Sequence, residues 1–343
     1  MKTKHLPIAL LLLPLCVGCE KTLPFDSGNT LTDGICINAL ATPDTVLTAF
    51  LSRASLFTDL SPIHESEYRR TMKYGVAIDS SFYRYFQREL LADADLQFSV
   101  NDGSYQSMTY VDSLFHYVSS YTPKVGDKIL FRAQRESYPE LSAETTIPRI
   151  VTPEVVGHER YYDENKSRYN EDQRNDYAID WIAQDTIMRL TLRLTDPAHE
   201  RNYYRLKVRS IGENPSGFLR DSTSTHVFND IYTSDDVIFI DNTQPEIHDG
   251  WPANFSNVFD DHLFDGQSYT FSVETRMRAG RNQRVVIELQ SLTPDLYYYL
   301  KSVMIYRATD QDAYTEAIRL HSNVVDGWGI VGGLSSEKIV VWF

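Results

Sequence analysis

The chain has 343 residues and carries 33 Lys and Arg against 47 Asp and Glu, a formal charge of −14. A surface this acidic is repelled by phosphate backbones and no basic stripe interrupts it, so nucleic acid is excluded as a partner. The length is enough for two domains that each bury a core, and three cysteines are too few for a disulfide framework.

The N-terminus reads as an address. Lys2 and Lys4 precede an apolar run from Leu6 to Val17, which ends at Gly18-Cys19. Charged, apolar and small residues in that order make a secretory signal. The run is roughly a dozen residues, broken by Pro7 and Pro14, whereas a spanning helix needs about 20 apolar residues. A cysteine directly after the small residue points to a bacterial lipoprotein signal over residues 1–18, with Cys19 as the lipid-attachment residue and palmitate among its acyl chains. An ordinary cleaved signal is the competing reading, and Cys16 stands where such cleavage boxes usually carry Leu. Cys16 to Cys19 also spells C-x-x-C, but processing would separate its two cysteines. Cleavage removes Lys2 and Lys4 and no acid, which takes the charge from −14 to −16. Cys36 is then left without a partner, and the fold depends on its cores.

Residues 19–33 are polar and form a tether. Strand signals follow at Ile35–Leu40, where Cys36 packs as a small hydrophobe, and at Val46–Leu51. In residues 64–91, Phe82, Tyr83, Phe86, Leu90 and Leu91 have roughly helical spacing, which gives a long loop with a short helix. Ala94, Leu96, Phe98 and Val100 alternate with polar neighbours, and Asn101-Asp102-Gly103 is a hairpin signal. Strands at Lys128–Ala133 and Leu141–Ile147 complete an N-terminal immunoglobulin/fibronectin-like β-sandwich over residues 34–150. Residues 151–184 read as a polar linker or insertion.

Residues 185–343 then form a larger, β-rich C-terminal domain, an antiparallel sandwich or barrel-like structure. Met188, Leu190, Leu192 and Leu194 alternate with polar residues up to the strand breaker Asp196-Pro197. Tyr204, Leu206 and Val208 alternate in the same way. Further strands are expected at Val237–Ile240, Tyr269–Val273 and Val285–Leu289. One helix stands out, over residues 294–307. Thr293 is placed to cap it, Pro294 suits its first position and Asp295 complements its dipole. Its apolar stripe is Leu296, Tyr299, Leu300, Val303 and Met304. The last strand is expected at Lys338–Phe343. The fold class is therefore mostly β, with one α-helix.

Little catalytic chemistry surfaces. Gly327 to Gly332 satisfies G-x-G-x-x-G, but a dinucleotide site needs a following helix and an acidic residue about 20 positions on. The glycines instead provide a tight crossing under a sheet. His64-Glu65 opens like a zinc-protease helix without its second His, and His158, His226, His248 and His262 lack metal-ligand spacing. Asp235, Asp236, Asp241, Asp249, Asp260, Asp261 and Asp265 crowd one region without a calcium-loop signature, so solvation and turn formation are the expected roles and calcium the minority reading. Trp251, Phe255, Phe259 and Phe264 could line a ligand surface or tuck the loop onto the core. The 22 Tyr suit half-buried strands as well as carbohydrate- or protein-binding surfaces. No catalytic residue, metal ligand or cofactor is assigned, and the ligand-binding residues are left open.

Ser322 to Gly333, reading SNVVDGWGIVGG, resembles the closing signature of a Bacteroidota lipoprotein family catalogued as domain of unknown function 4249. Matching pieces are the helix Pro294–Arg307, Gly126-Asp127-Lys128, Ala143–Pro148, Asp196-Pro197 with Asn202-Tyr203-Tyr204, and Phe264-x-Gly266. Val331 and Trp328 depart from the usual aromatic and Leu. The resemblance implies an outer-membrane lipoprotein exposed at the cell surface, held by lipid on Cys19 and associated with a TonB-dependent transporter barrel. It implies a non-enzymatic accessory in nutrient capture. The alternatives are a surface glycoside hydrolase and a structural or adhesive surface lipoprotein.

Overall fold

Residues 33–55, 68–73, 76–81, 90–162, 186–213, 225–228, 232–239, 257–277, 281–309 and 319–343 are described in the computed structural model. Strands β1 (Asp33–Ala41) and β2 (Thr48–Ser55) pair antiparallel. Within residues 64–91, expected as a loop with a short helix, β3 (Tyr68–Lys73) and β4 (Val76–Ser81) form a hairpin. Phe82, Tyr83 and Phe86 lie outside the described residues. The helical spacing came from a few aromatic positions, whereas strand pairing satisfies every second backbone group of the stretch before them.

In β5 (Asp95–Val100) the alternation turns Leu96 and Phe98 inward. Asn101 and Asp102 both have positive φ, and the Gly103 N–H bonds the Val100 carbonyl at 2.9 Å, the signature of a type I′ turn. The chain continues through β6 (Gln106–Ser107), β7 (Thr109–Val111), β8 (His116–Val118), β9 (Lys128–Gln134) and β10 (Leu141–Thr146). One layer runs β1-β2-β8-β7 and the facing layer β10-β9-β5-β6. Between them Ile35, Ile37, Leu51, Phe98, Ile129 and Phe131 are almost fully buried. Each such side chain is worth about 1.5–3 kcal/mol of transfer free energy.

The stretch read as a linker holds a strand, β11 (Glu154–Tyr161), which pairs with β12 (Thr186–Thr195). Residues 163–185 lie outside the described residues. Next come β13 (Tyr203–Glu213), β14 (Thr225–Phe228) and β15 (Tyr232–Thr233). Val237–Phe239, expected as a strand, is a 3₁₀ turn. Asp236 decides this locally, because its Oδ1 accepts the Ile238 N–H at 3.1 Å and offers the backbone an alternative to sheet pairing. The remaining elements here are β16 (Val258–Asp260), β17 (Ser268–Met277) and β18 (Arg281–Leu292). The layer β11-β12-β17-β15 packs on β13 and β18 through Leu190, Leu192, Leu206, Val208, Val273 and Ile287.

Helix α1 (Pro294–Thr309) follows directly. The Thr293 carbonyl accepts the Tyr297 N–H at 3.0 Å, which makes Thr293 the cap in backbone terms. Its hydroxyl, however, accepts the Gly333 N–H at 3.2 Å, and the Gly333 carbonyl accepts the Thr293 N–H at 3.0 Å. The cap residue thus ties the helix to the C-terminal strand. Leu296 and Tyr297 are buried, with Leu300 and Met304 packed behind them against Tyr203, Val258, Leu292 and Leu334. Tyr297 lay outside the expected stripe.

The glycine-rich run opens a strand rather than a helix. After β19 (Val324–Val325), β20 (Trp328–Trp342) starts ten residues before the expected Lys338. From Trp328 to Gly333 it pairs in parallel with β1, and from Leu334 to Trp342 it pairs antiparallel with β18. It therefore changes partner midway and joins both sandwiches into one sheet of order β14-β13-β18-β20-β1-β2-β8-β7. Gly329 makes the crossing possible. Its φ is +105°, and a Cβ there would overlap the Ile37 carbonyl oxygen. Among the described residues the fold is mostly β, with antiparallel sheets, this one parallel pairing, one α-helix and no closed barrel.

Candidate functional site

Two connections meet at one end of the second sandwich. Asp196 ends the alternation of β12, Pro197 cannot continue it, and the chain loops through Asn202 into β13. The other loop, Asp261–Gln267, joins β16 to β17. Because β12 neighbours β17 and β13 neighbours β16, the loops must lie side by side. Each then reaches into the other. Asp196 Oδ2 accepts the Gly266 N–H at 2.9 Å, and the Asp196 N–H donates to the Gln267 carbonyl at 3.1 Å. Asp261 Oδ2 accepts the Asn202 N–H at 2.6 Å, and the Asp261 N–H donates to the Asn202 carbonyl at 3.2 Å. The approach is close enough that Gly266, at φ +67°, admits no side chain, since a Cβ there would sit 2.7 Å from Ala198 Cβ.

The result is a concentration of negative charge. One oxygen from each of Asp196, Asp261 and Asp265 lies within 4.8 Å of the others; Asp196 and Asp261 are buried, and Asp265 is exposed. At an effective dielectric of about 20, two unit charges about 5 Å apart repel by about 3 kcal/mol. Desolvation, followed by the charges of Asp196 and Asp265, pushes the Asp261 carboxyl above its ordinary pKa, against the Asn202 N–H and Arg201. Buried Tyr204 donates from Oη to Asp196 Oδ1 at 2.5 Å, and its own pKa is raised by burial and by that carboxylate.

Arg201 offers partial compensation. Its guanidinium bonds Asp260 Oδ2 at 2.9 Å, and its Nε stands 3.4 Å from Asp261 Oδ1 without hydrogen-bond geometry. Asp261 Oδ1 is consequently a buried oxygen that accepts no hydrogen bond among the described residues. An open cavity of about 410 Å³ lies beside this residue, lined by His199, Glu200, Arg201, Asp261, His262 and Asp265. Beside it, desolvation raises the Asp260 pKa, but bonds from His262 and Arg201 outweigh that and hold the carboxyl below its usual range. Tyr203, Tyr297 and Tyr298 cluster on the same flank, with ring centroids 4.7 to 5.8 Å apart.

The structure sorts the residues singled out from sequence. Cys19, Asp241, Asp249, Trp251 and Phe255 lie outside the described residues. Asp235 is exposed, and Asp236 caps the 3₁₀ turn and accepts the Tyr269 hydroxyl at 2.9 Å. Phe259 and Phe264 are core residues, so the tucking role is theirs. His158 packs edge-on against Phe343, and His262 Nδ1 bonds Asp260 Oδ1. Among the described residues of the acidic stretch, Asp261 and Asp265 come together with Asp196, which was read as a strand breaker. Its available signal was an acid placed directly after an apolar strand, at a position the fold buries.

The family model described as "Domain of unknown function (DUF4249)" matches residues 20–339. The chain belongs to this family. No curated protein matches it. The match to the domain of unknown function 4249 spans both loops of the acidic cluster, α1 and β20 up to residue 339, so the change of partner between Gly333 and Leu334 lies within the family's own boundaries.

Proposed function

We propose that the protein is a non-enzymatic, lipid-anchored accessory at the bacterial outer membrane, working with a TonB-dependent transporter in nutrient capture. The observation that carries this reading is the N-terminal order of Lys2 and Lys4, apolar run and Gly18-Cys19, with the family match starting at the next residue, 20. Acylation of Cys19 is one hydrophobic signal; two or three chains on it would hold the protein to a bilayer. No helix among the described residues is long and apolar enough to cross a membrane, so the lipid carries the attachment in this reading. Exposed Tyr105, Tyr298, Tyr306 and Trp342 are the residue types that contribute contact area at protein and carbohydrate interfaces.

The test has two parts. Cells expressing the full chain are fed an alkynyl palmitate analogue, and the label is expected on the wild type and lost from Cys19→Ala, which leaves the membrane fraction. Wild type solubilised in mild detergent is then expected to bring down a transporter barrel. Absence of label refutes the anchor, and a labelled protein that purifies without any barrel refutes the transporter partnership.

A further inference from the structure

We propose that Asp196, Asp261 and Asp265 form a calcium site that staples the β12–β13 loop to the β16–β17 loop. Two independent observations converge on it. The first is the triad itself, with one oxygen from each carboxylate inside a 4.8 Å circle. Calcium–oxygen distances of about 2.3–2.6 Å place ligand oxygens of one ion at most about 5 Å apart, so a single ion reaches all three. The second is Asp261 Oδ1. The side chain is completely buried, its other oxygen is taken by the Asn202 N–H, and Oδ1 accepts no hydrogen bond among the described residues. A buried carboxylate oxygen without a donor is costly, and a cation facing it removes that cost. Arg201 Nε faces Oδ1 at 3.4 Å as an ion pair without hydrogen-bond geometry, so it supplies charge to this oxygen but no donated hydrogen.

The chemistry of the donors selects the ion. All three are hard carboxylate oxygens, which suit calcium, magnesium or manganese, while zinc favours Cys and His. The ligands come from two separate loops and differ in burial, an irregular set compatible with the flexible coordination of calcium. Magnesium demands a near-regular octahedron at about 2.0–2.1 Å and keeps most of its water. The cavity lined by His199, Glu200, Arg201, Asp261, His262 and Asp265 gives water access beside Asp261 and Asp265. The second donors already present keep the ligands in place: Tyr204 and the Gly266 N–H hold Asp196, and the Asn202 N–H holds Asp261. This site is independent of the anchoring proposal and stands if Cys19 carries no lipid.

The experiment uses the full-length chain in detergent, freed of metal with a chelator and titrated with calcium chloride alone. Calcium modules of this weaker class bind at about 10⁻⁴–10⁻³ M, so about 10 mM calcium, worth about 1.4–2.7 kcal/mol, is expected to raise the melting temperature by a few degrees. Terbium, excited through Tyr204 beside Asp196, is expected to luminesce and to be displaced by calcium. Asp265→Asn changes an exposed residue and keeps the fold; it is expected to weaken calcium binding at least about tenfold, because affinity follows the charge count of the ligands. Asp235→Asn, an exposed acid outside the triad, is expected to bind as the wild type does. No calcium-dependent shift, an Asp265→Asn variant with unchanged affinity, or an equal response to magnesium each overturns the proposal.

Discussion

Asn323 pairs with Val331 as one strand pairs with another. The Val331 N–H donates to Asn323 Oδ1 at 3.0 Å, and Asn323 Nδ2 donates to the Val331 carbonyl at 2.8 Å. The same Nδ2 reaches the Glu144 carbonyl on β10 at 3.0 Å. One side-chain amide thus completes the hydrogen bonding of β20 at a fully buried residue and ties it to the facing layer of the first sandwich. This gives the Ser-Asn element of the C-terminal signature a structural reason.

Asn323→Ala leaves the Val331 N–H and carbonyl buried without partners. The expected loss is about 2–6 kcal/mol in urea denaturation, because unsatisfied buried groups cost about 1–3 kcal/mol each. Asn323→Asp is nearly isosteric but turns an acceptor toward two carbonyls, and it is expected to be at least as destabilising. A variant of either kind with the wild-type midpoint refutes the pairing role.

Asp127 sets an acid limit on the first sandwich. Its Oδ2 accepts the Tyr121 hydroxyl at 2.5 Å and the Lys124 N–H at 2.7 Å, and its Oδ1 accepts Asn101 Nδ2 at 2.9 Å. Desolvation pulls the carboxyl pKa up, but these bonds outweigh it and the net shift is down. A depressed native pKa means that the unfolded state binds the proton first. The stabilisation is therefore complete above the unfolded value of about 3.9 and is lost as pH falls through the lower, native value. Tyr121 shows the opposite sign. Its bond to Asp127, then burial, push its pKa up to about 12, so its contribution is present below about pH 10 and is lost as pH rises from there through about 12. Asp127→Asn is expected to flatten both limbs of the stability–pH curve, and unchanged limbs exclude this pair as their source.

The parts of this fold that were legible in sequence are those written in short-range patterns. Leu190, Leu192 and Leu194 announce a strand because every second residue faces one core, and Asn101-Asp102-Gly103 announces its turn because few residues accept two successive positive φ angles. The β3–β4 hairpin, Tyr68–Ser81, was read as loop because its mixed polar sequence lacks a clean apolar alternation. The partner switch of β20 was hidden for a different reason. Its pairing with β1 joins Cys36 to Trp328, and nothing in either segment's local pattern specifies a partner at the other end of the chain. The acidic cluster has the same difficulty. Asp261 and Asp265 were visible as a crowd of acids, but Asp196 meets Gly266 across 70 residues, and only the sheet order brings them together.

Tyr204 and Asp196 provide the sharpest energetic test of that loop junction. Tyr204 is completely buried, its ring 5.4 Å from that of Phe259, and its hydroxyl donates to a carboxylate that is itself buried. Tyr204→Phe keeps the ring packing and removes one donor from Asp196, which retains the Gly266 N–H. Hydrogen bonds to charged groups contribute about 1.5–3 kcal/mol, and a loss of that size is expected in chemical denaturation. Asp196→Asn weakens both bonds and, in its other orientation, sets a donor against the Gly266 N–H. It also relieves the repulsion from Asp261 and Asp265, so its loss is expected to be smaller than the two bonds together would give. Combined, the two changes are expected to cost less than the sum of each alone, since the second removes a partner the first has already lost. Strict additivity in that cycle excludes an energetic coupling of Tyr204 and Asp196 through this bond.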